Sequence, residues 1–128
     1  MAYLFPNKTP ADLAYKDISV GAAYAFERLV DSELVAEFAK LSGDYHPLHM
    51  DEAYAVAASF GGRIAHGMLL ASFFSALVGM MCPGQRALYL SQELKFRKPL
   101  LVGNRVIVRG TVRAKSEAGR VITLAMEI

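Results

Sequence analysis

Only one cysteine, Cys82, occurs in the chain. An internal disulfide and a zinc cluster built on paired cysteines are both excluded, which agrees with a reducing compartment. Lying at the end of an apolar run, Cys82 reads as a small buried hydrophobe. Acidic residues are missing altogether between Glu52 and Glu93. The opening stretch, "MAYLFPNKTPADLAYKD", has no basic start followed by an apolar run, so neither a secretory leader nor a membrane anchor is expected, and a cytoplasmic location is. Repeats and low-complexity segments are absent too. The longest apolar run, Met68 to Cys82, falls short of the roughly 20 residues that cross a bilayer.

What is present is enough for one domain: 128 residues can bury a real core but not two independent ones. Residues 1–20 read as an irregular N-terminal segment and 21–128 as the folded domain. The net charge of +2 hides an asymmetry, with five Lys/Arg against nine Asp/Glu up to Gln85 and nine against three from Arg86 onward. An anionic partner on the C-terminal half would explain it, as would a solvated sheet face. No RNA-binding or zinc-finger motif accompanies the basic residues, so nucleic acid is not the expected partner.

"AYAFERLVD" offers a short strand, after which Asp31 or Ser32 can cap a helix that Gly43 ends in a left-handed conformation. Leu34, Val35, Phe38 and Leu41 share one face of it. A second short helix is expected over "DEAYAVAAS". The segment "MLLASFFSALVGMMC" is apolar nearly all round, which predicts a central helix swallowed by the fold and closed by Pro83-Gly84. "ALYLSQELKF" and "RVIVRGTVRAK" alternate as strands, the second with Val106, Val108, Val112 and Ala114 inward against Arg105, Arg109, Arg113 and Lys115. "VITLAMEI" supplies a further strand after a turn at Gly119. The result is an α+β architecture, an antiparallel sheet wrapped on a buried helix, with a dimer expected to complete the cover.

All three histidines, His46, His49 and His66, fall within 21 positions, and Asp44 stands beside them. Three readings compete. A carboxylate and an imidazole across a proline-stiffened turn can work as acid and base on one water. His46 and His49 have the spacing of paired metal ligands, with His66 able to complete a trio. Structural roles, with Asp44 capping the next turn, are the third. Farther on, His66-Gly67 precedes the buried helix, where free backbone N–H groups meet the positive end of the helix dipole. An amide there suits a carbonyl oxygen that gains negative charge; the plainer reading is that Gly67 lets helix and sheet touch. Ser72 and Ser75 lie three apart on the same helix and can reach a pocket or bond back to helix carbonyls.

Taken together, "FAKLSGDYHPLHMDEAYA", "RIAHGMLLASFFS" and "YLSQELKFRKPLLVGN" resemble, in order and spacing, the MaoC-like hydratases, the (R)-specific enoyl-CoA hydratases of hot-dog fold. The resemblance covers the chain from about Gly21 to Ile128. It implies a long helix wrapped by an antiparallel sheet, with sheets joined in a homodimer or a dimer of dimers. It also implies a hydro-lyase of fatty acid metabolism that adds water reversibly and syn to trans-2-enoyl thioesters. In that pattern Asp44 and His49 are the catalytic pair, Gly67 is the oxyanion donor, and Ser75 supports the pocket, with His46, His66 and Ser72 nearby. No metal and no cofactor are implied; the coenzyme A thioester is the substrate, whose phosphates can meet strand Arg and Lys residues.

Two departures stand out. His46 occupies a position where the family usually has asparagine, and the chain stops at Ile128 where relatives continue into one more strand. Fatty-acid-synthesis dehydratases and hot-dog thioesterases place an acid on the central helix, which the gap between Glu52 and Glu93 denies them here. A non-catalytic acyl-thioester-binding or scaffold subunit is the alternative.

Overall fold

The computed structural model describes residues 8–128. Strand β1 (Ala23–Val30) is followed by helices α1 (Ser32–Ser42), α2 (Pro47–Met50), α3 (Glu52–Ala57) and α4 (Gly67–Met80). Strands β2 (Asn104–Ser116) and β3 (Val121–Glu127) complete a three-stranded sheet in the order β1-β2-β3. β2 and β3 are antiparallel, with Arg109 opposite Glu127 and Ser116 opposite Val121. Hydrogen bonds from Gly21 N–H to Val112 C=O and from Gly103 N–H to Val30 C=O set the start of β1 against the end of β2 and the reverse. No helix among the described residues is long and apolar enough to cross a membrane.

The described residues form two compact units. One comprises the chain up to Arg28 with Ser72–Gln92 and Ile107–Ile128; the other comprises Leu29–Ala71 and Glu93–Val106. In the first, Ile18, Cys82 and Val112 are buried together under Leu13, Tyr24, Ile122 and Leu124. Each fully buried aliphatic or aromatic side chain of this kind contributes about 1.5–3 kcal/mol. Gly110 of β2 lies against Leu77, whose Cδ2 would be only 2.8 Å from a Cβ at that position. Small size, rather than backbone freedom, is what that glycine supplies.

The second unit carries α1, α2 and α3. Asp31 caps α1 by accepting from Leu34 N–H, and Gly43, at φ 81°, closes it in the left-handed region. Val35 and Ala39 form its buried row, and Leu41, expected on that face, is 84% exposed. Asp51 caps α3 in the same way, accepting from Tyr54 N–H.

Two expectations need correction. "ALYLSQELKF" forms no strand: Ala87–Phe96 has no ladder partner among the described residues, and Leu88 and Phe96 are 82% and 61% exposed. Alternation marks a surface suited to pairing, but a strand also needs a neighbour for its backbone groups. Along β2 the inward row fails at Ala114, which is exposed, because the register with β3 shifts between Val112 and Ala114. A bulge reverses which side chains face in. Lys115 accordingly turns to the interior, and its Nζ donates to the carbonyls of Tyr15 (2.8 Å) and Ile18 (2.6 Å). Along α4, Met68, Ser72 and Ser75 form an exposed stripe at helical spacing.

Candidate active site

The turn between α1 and α2 is a chain of short-range hydrogen bonds. Ser42 Oγ donates to Phe38 C=O (2.7 Å) and accepts from Asp44 N–H (3.1 Å). Asp44 Oδ1 accepts from His46 N–H (3.1 Å), and His46 Nδ1 accepts from Leu48 N–H (3.1 Å) at the start of α2. Pro47, with no N–H to satisfy, sits at the first helical position. Small polar side chains bonding their own backbone make this geometry local and rigid.

His49 projects from α2 with its orientation fixed from outside the turn. Its Nδ1 lies 2.7 Å from the carbonyl of Ile64. A carbonyl only accepts, so Nδ1 carries a proton, and in the neutral ring Nε2 is the nitrogen with the lone pair. That Nε2 stands 3.9 Å from Asp44 Oδ2, with the His49 side chain 14% exposed and that of Asp44 50% exposed. At this separation the two do not hydrogen-bond directly.

His66, buried just before α4, backs the pair. Its Nε2 donates to Asp44 C=O (2.9 Å), and its Nδ1 is buried without a partner. The ring stacks on His49 with centroids 3.9 Å apart and planes 30° apart, and meets Phe38 edge-on at 4.9 Å. The fold thus joins Asp44, His49 and His66, each with a polar atom within 4.8 Å of the others. His46, counted in the histidine trio on spacing, lies outside this group.

A cavity of about 400 Å³ opens over these groups. Asp44, His49 and Gly67 form its polar end, Phe96 and Leu100 an apolar wall, and Arg97 and Lys98 a basic flank. Gly67 is the first residue of α4, so its N–H has no acceptor within the helix. Phe96 rests directly on it: a Cβ at Gly67 would lie 2.8 Å from Phe96 Cδ1 and Cε1. Ser72 and Ser75 are exposed and do not line the cavity.

Arg63 was not singled out by sequence reasoning, although it is the one cation between Lys40 and Arg86. Its Nη2 donates to Ser32 Oγ (2.7 Å) and its Nη1 to His49 C=O (3.4 Å), while Nε pairs with Glu52 Oε2 (3.6 Å). One guanidinium therefore ties α1, α2 and α3 together beneath the Asp44–His49 turn. The far wall is fixed by backbone bonds from Ala65 N–H to Leu100 C=O (2.8 Å) and from Val102 N–H to Arg63 C=O (2.9 Å).

Known proteins match this chain along most of its length. It is 39% identical over 116 residues to an (R)-specific enoyl-CoA hydratase of Aeromonas caviae, covering 91% of this chain and 87% of that one. A 3-hydroxybutyryl-CoA dehydratase of Methylorubrum extorquens is 39% identical over 97 residues, 76% of this chain and 62% of the relative. Among solved structures, the unliganded R-hydratase of Pseudomonas aeruginosa superposes with a TM-score of 0.84 at 33% identity, covering 90% of this chain and 74% of that one. The A. caviae (R)-hydratase structure gives 0.78 at 35% identity, with 87% and 94% covered. These relatives share the hot-dog architecture, and residues 17–127 match the family model described as MaoC like domain. The chain is a member of the MaoC-like family.

Proposed function

We propose that the protein is an (R)-specific enoyl-CoA hydratase, adding water reversibly and syn across the double bond of trans-2-enoyl thioesters. The observation that carries this reading is the 3.9 Å gap between Asp44 Oδ2 and His49 Nε2 at the wall of a cavity that also holds the Gly67 amide. An acid–base pair and an enolate-stabilising donor are the two things the reaction needs.

In this mechanism a water lies between the two side chains. Asp44 accepts one of its hydrogens and orients it, while His49 Nε2 accepts the other. As the water oxygen bonds to the β-carbon, its proton passes to Nε2, and the π electrons move to the thioester oxygen. The Gly67 N–H, at the positive end of α4, stabilises that oxygen. His49 then returns the proton to the α-carbon from the same face. Water is fully consumed, neither metal nor cofactor enters, and the imidazole is restored.

The pair works on one face because His49 is locked by Ile64 C=O and Asp44 by its own turn. We also take the protein to act as a cytoplasmic homodimer. The Ala87–Phe96 segment, which has no ladder partner among the described residues and exposes Leu88 and Leu90, offers a second copy both backbone groups and apolar side chains. Leu88→Glu with Leu90→Glu should then shift the sedimentation of the protein toward a monomer.

Mixing the protein with crotonyl-CoA and following the conjugated thioester absorbance tests the activity. Loss of absorbance with (R)-3-hydroxybutyryl-CoA as product is expected. Crotonyl-CoA that binds but stays intact would instead mark a non-catalytic thioester-binding subunit.

A further inference from the structure

We propose that His46 is a positioning residue that holds the Asp44–His49 pair in place only while its imidazole is neutral, so that acidification loosens the catalytic turn from outside the cavity. The inference rests on the hydratase reading for its kinetic consequence, but its structural half stands on three hydrogen bonds.

All three run through one residue. His46 N–H donates to Asp44 Oδ1 (3.1 Å), His46 C=O accepts from His49 N–H (2.9 Å), and His46 Nδ1 accepts from Leu48 N–H (3.1 Å). The first two place the catalytic carboxylate and the catalytic imidazole on the same peptide segment. The third decides whether that segment keeps its shape. Pro47 has no N–H, so Leu48 offers the first donor of α2, and His46 Nδ1 is its partner. Accepting that bond requires a lone pair on Nδ1 and leaves the proton on Nε2.

A second proton would land on Nδ1 itself. Two N–H groups would then face each other where one bond had been, beside a helix start that disfavours positive charge. The ring is exposed and open to solvent protons. Three titratable groups face it: Asp44 across the turn, His49 at 5.9 Å between ring centroids, and Tyr54 of α3 at 6.2 Å.

Two variants separate this role from simple packing. His46→Ala removes the acceptor and should lower kcat about 5- to 10-fold near pH 8 with little change in KM. His46→Asn supplies an amide oxygen that does not titrate, so it should recover turnover relative to His46→Ala. It should also lose activity less steeply than wild type between about pH 8 and about pH 5. Independently of turnover, the Leu48 amide resonance should follow the His46 ring resonances on acidification in wild type.

Superimposable pH–rate profiles for wild type and His46→Asn would overturn the proposal, as would a Leu48 amide that ignores the His46 ring. A wild-type protein that hydrates no enoyl-CoA would sink the hydratase reading instead, and the Leu48 amide would still decide whether the cap titrates.

Discussion

His66 donates through Nε2 to the backbone carbonyl of Asp44, 2.9 Å away, while its other ring nitrogen is buried with no partner at all. The residue is half satisfied. An orphaned buried nitrogen costs about 1–3 kcal/mol, comparable to what the satisfied one returns. Replacing His66 by Leu should therefore change thermal stability little, since it removes the orphan together with the bond. Activity should fall about 10-fold or more, because Asp44 loses its backing and His49 its stacked neighbour. Thermal melts set beside kcat measure the two effects separately.

Arg63 braces three helices at once, and no shorter or rounder cation reproduces that. Arg63→Lys keeps the charge but lacks the planar fork that reaches Ser32, His49 and Glu52 together. A drop in kcat of about 10-fold is expected for Arg63→Ala, with Arg63→Lys only partly restoring it. Equal activity of the lysine variant and wild type would show that charge alone suffices.

The contact between Gly67 and Phe96 should be visible as coupling. Gly67→Ala drives a methyl into the Phe96 ring and should lower kcat/KM about 100-fold by displacing the amide or the wall. Phe96→Ala opens that space, so the double variant should recover part of the loss. A double-mutant cycle reads the interaction directly, and additive effects would argue against it.

Cys82 is fully buried, and burial pushes its thiol above the usual range, with a hydrogen bond to Tyr24 acting in the opposite sense. In the native state the thiolate is thus disfavoured, and attack by an alkylating reagent should require unfolding. The same shift has a pH consequence. The unfolded thiol ionises first as pH rises, near about 8.5, whereas the native one ionises later. The stability this group contributes is present below the unfolded value and is lost as pH rises through the folded one. Denaturant titrations at mildly alkaline pH should show that decline, and Cys82→Ala should flatten it.

Much of the site could be read from the sequence because it is local. Asp31, Gly43, Pro47 and the Asp/His turn act through bonds spanning two to four residues, and such bonds follow from side-chain type and spacing. Gly67 at the start of an apolar helix was readable for the same reason. Other features depend on a distant partner. Nothing in "RVIVRGTVRAK" announces the bulge, which exists because β3 pairs two-for-one there. Lys115 turns inward only because the carbonyls of Tyr15 and Ile18 wait for it, some hundred residues away. Arg63 likewise gains its meaning from Ser32 and Glu52. Ser72 and Ser75 show the converse, since helical spacing placed them at exposed positions of α4 that do not line the cavity.

The groups assigned to the chemistry lie between Asp44 and Gly67, whereas the far wall of the cavity comes from Phe96 to Leu100, hung on the first stretch by backbone hydrogen bonds. Backbone bonds are indifferent to side-chain identity. Inheritance can therefore rewrite residues 97–100 one at a time, altering which acyl groups are accepted, without disturbing the residues proposed to move the proton or the Phe96 ring that rests on Gly67. A lineage with this layout can diversify its diet while keeping its reaction.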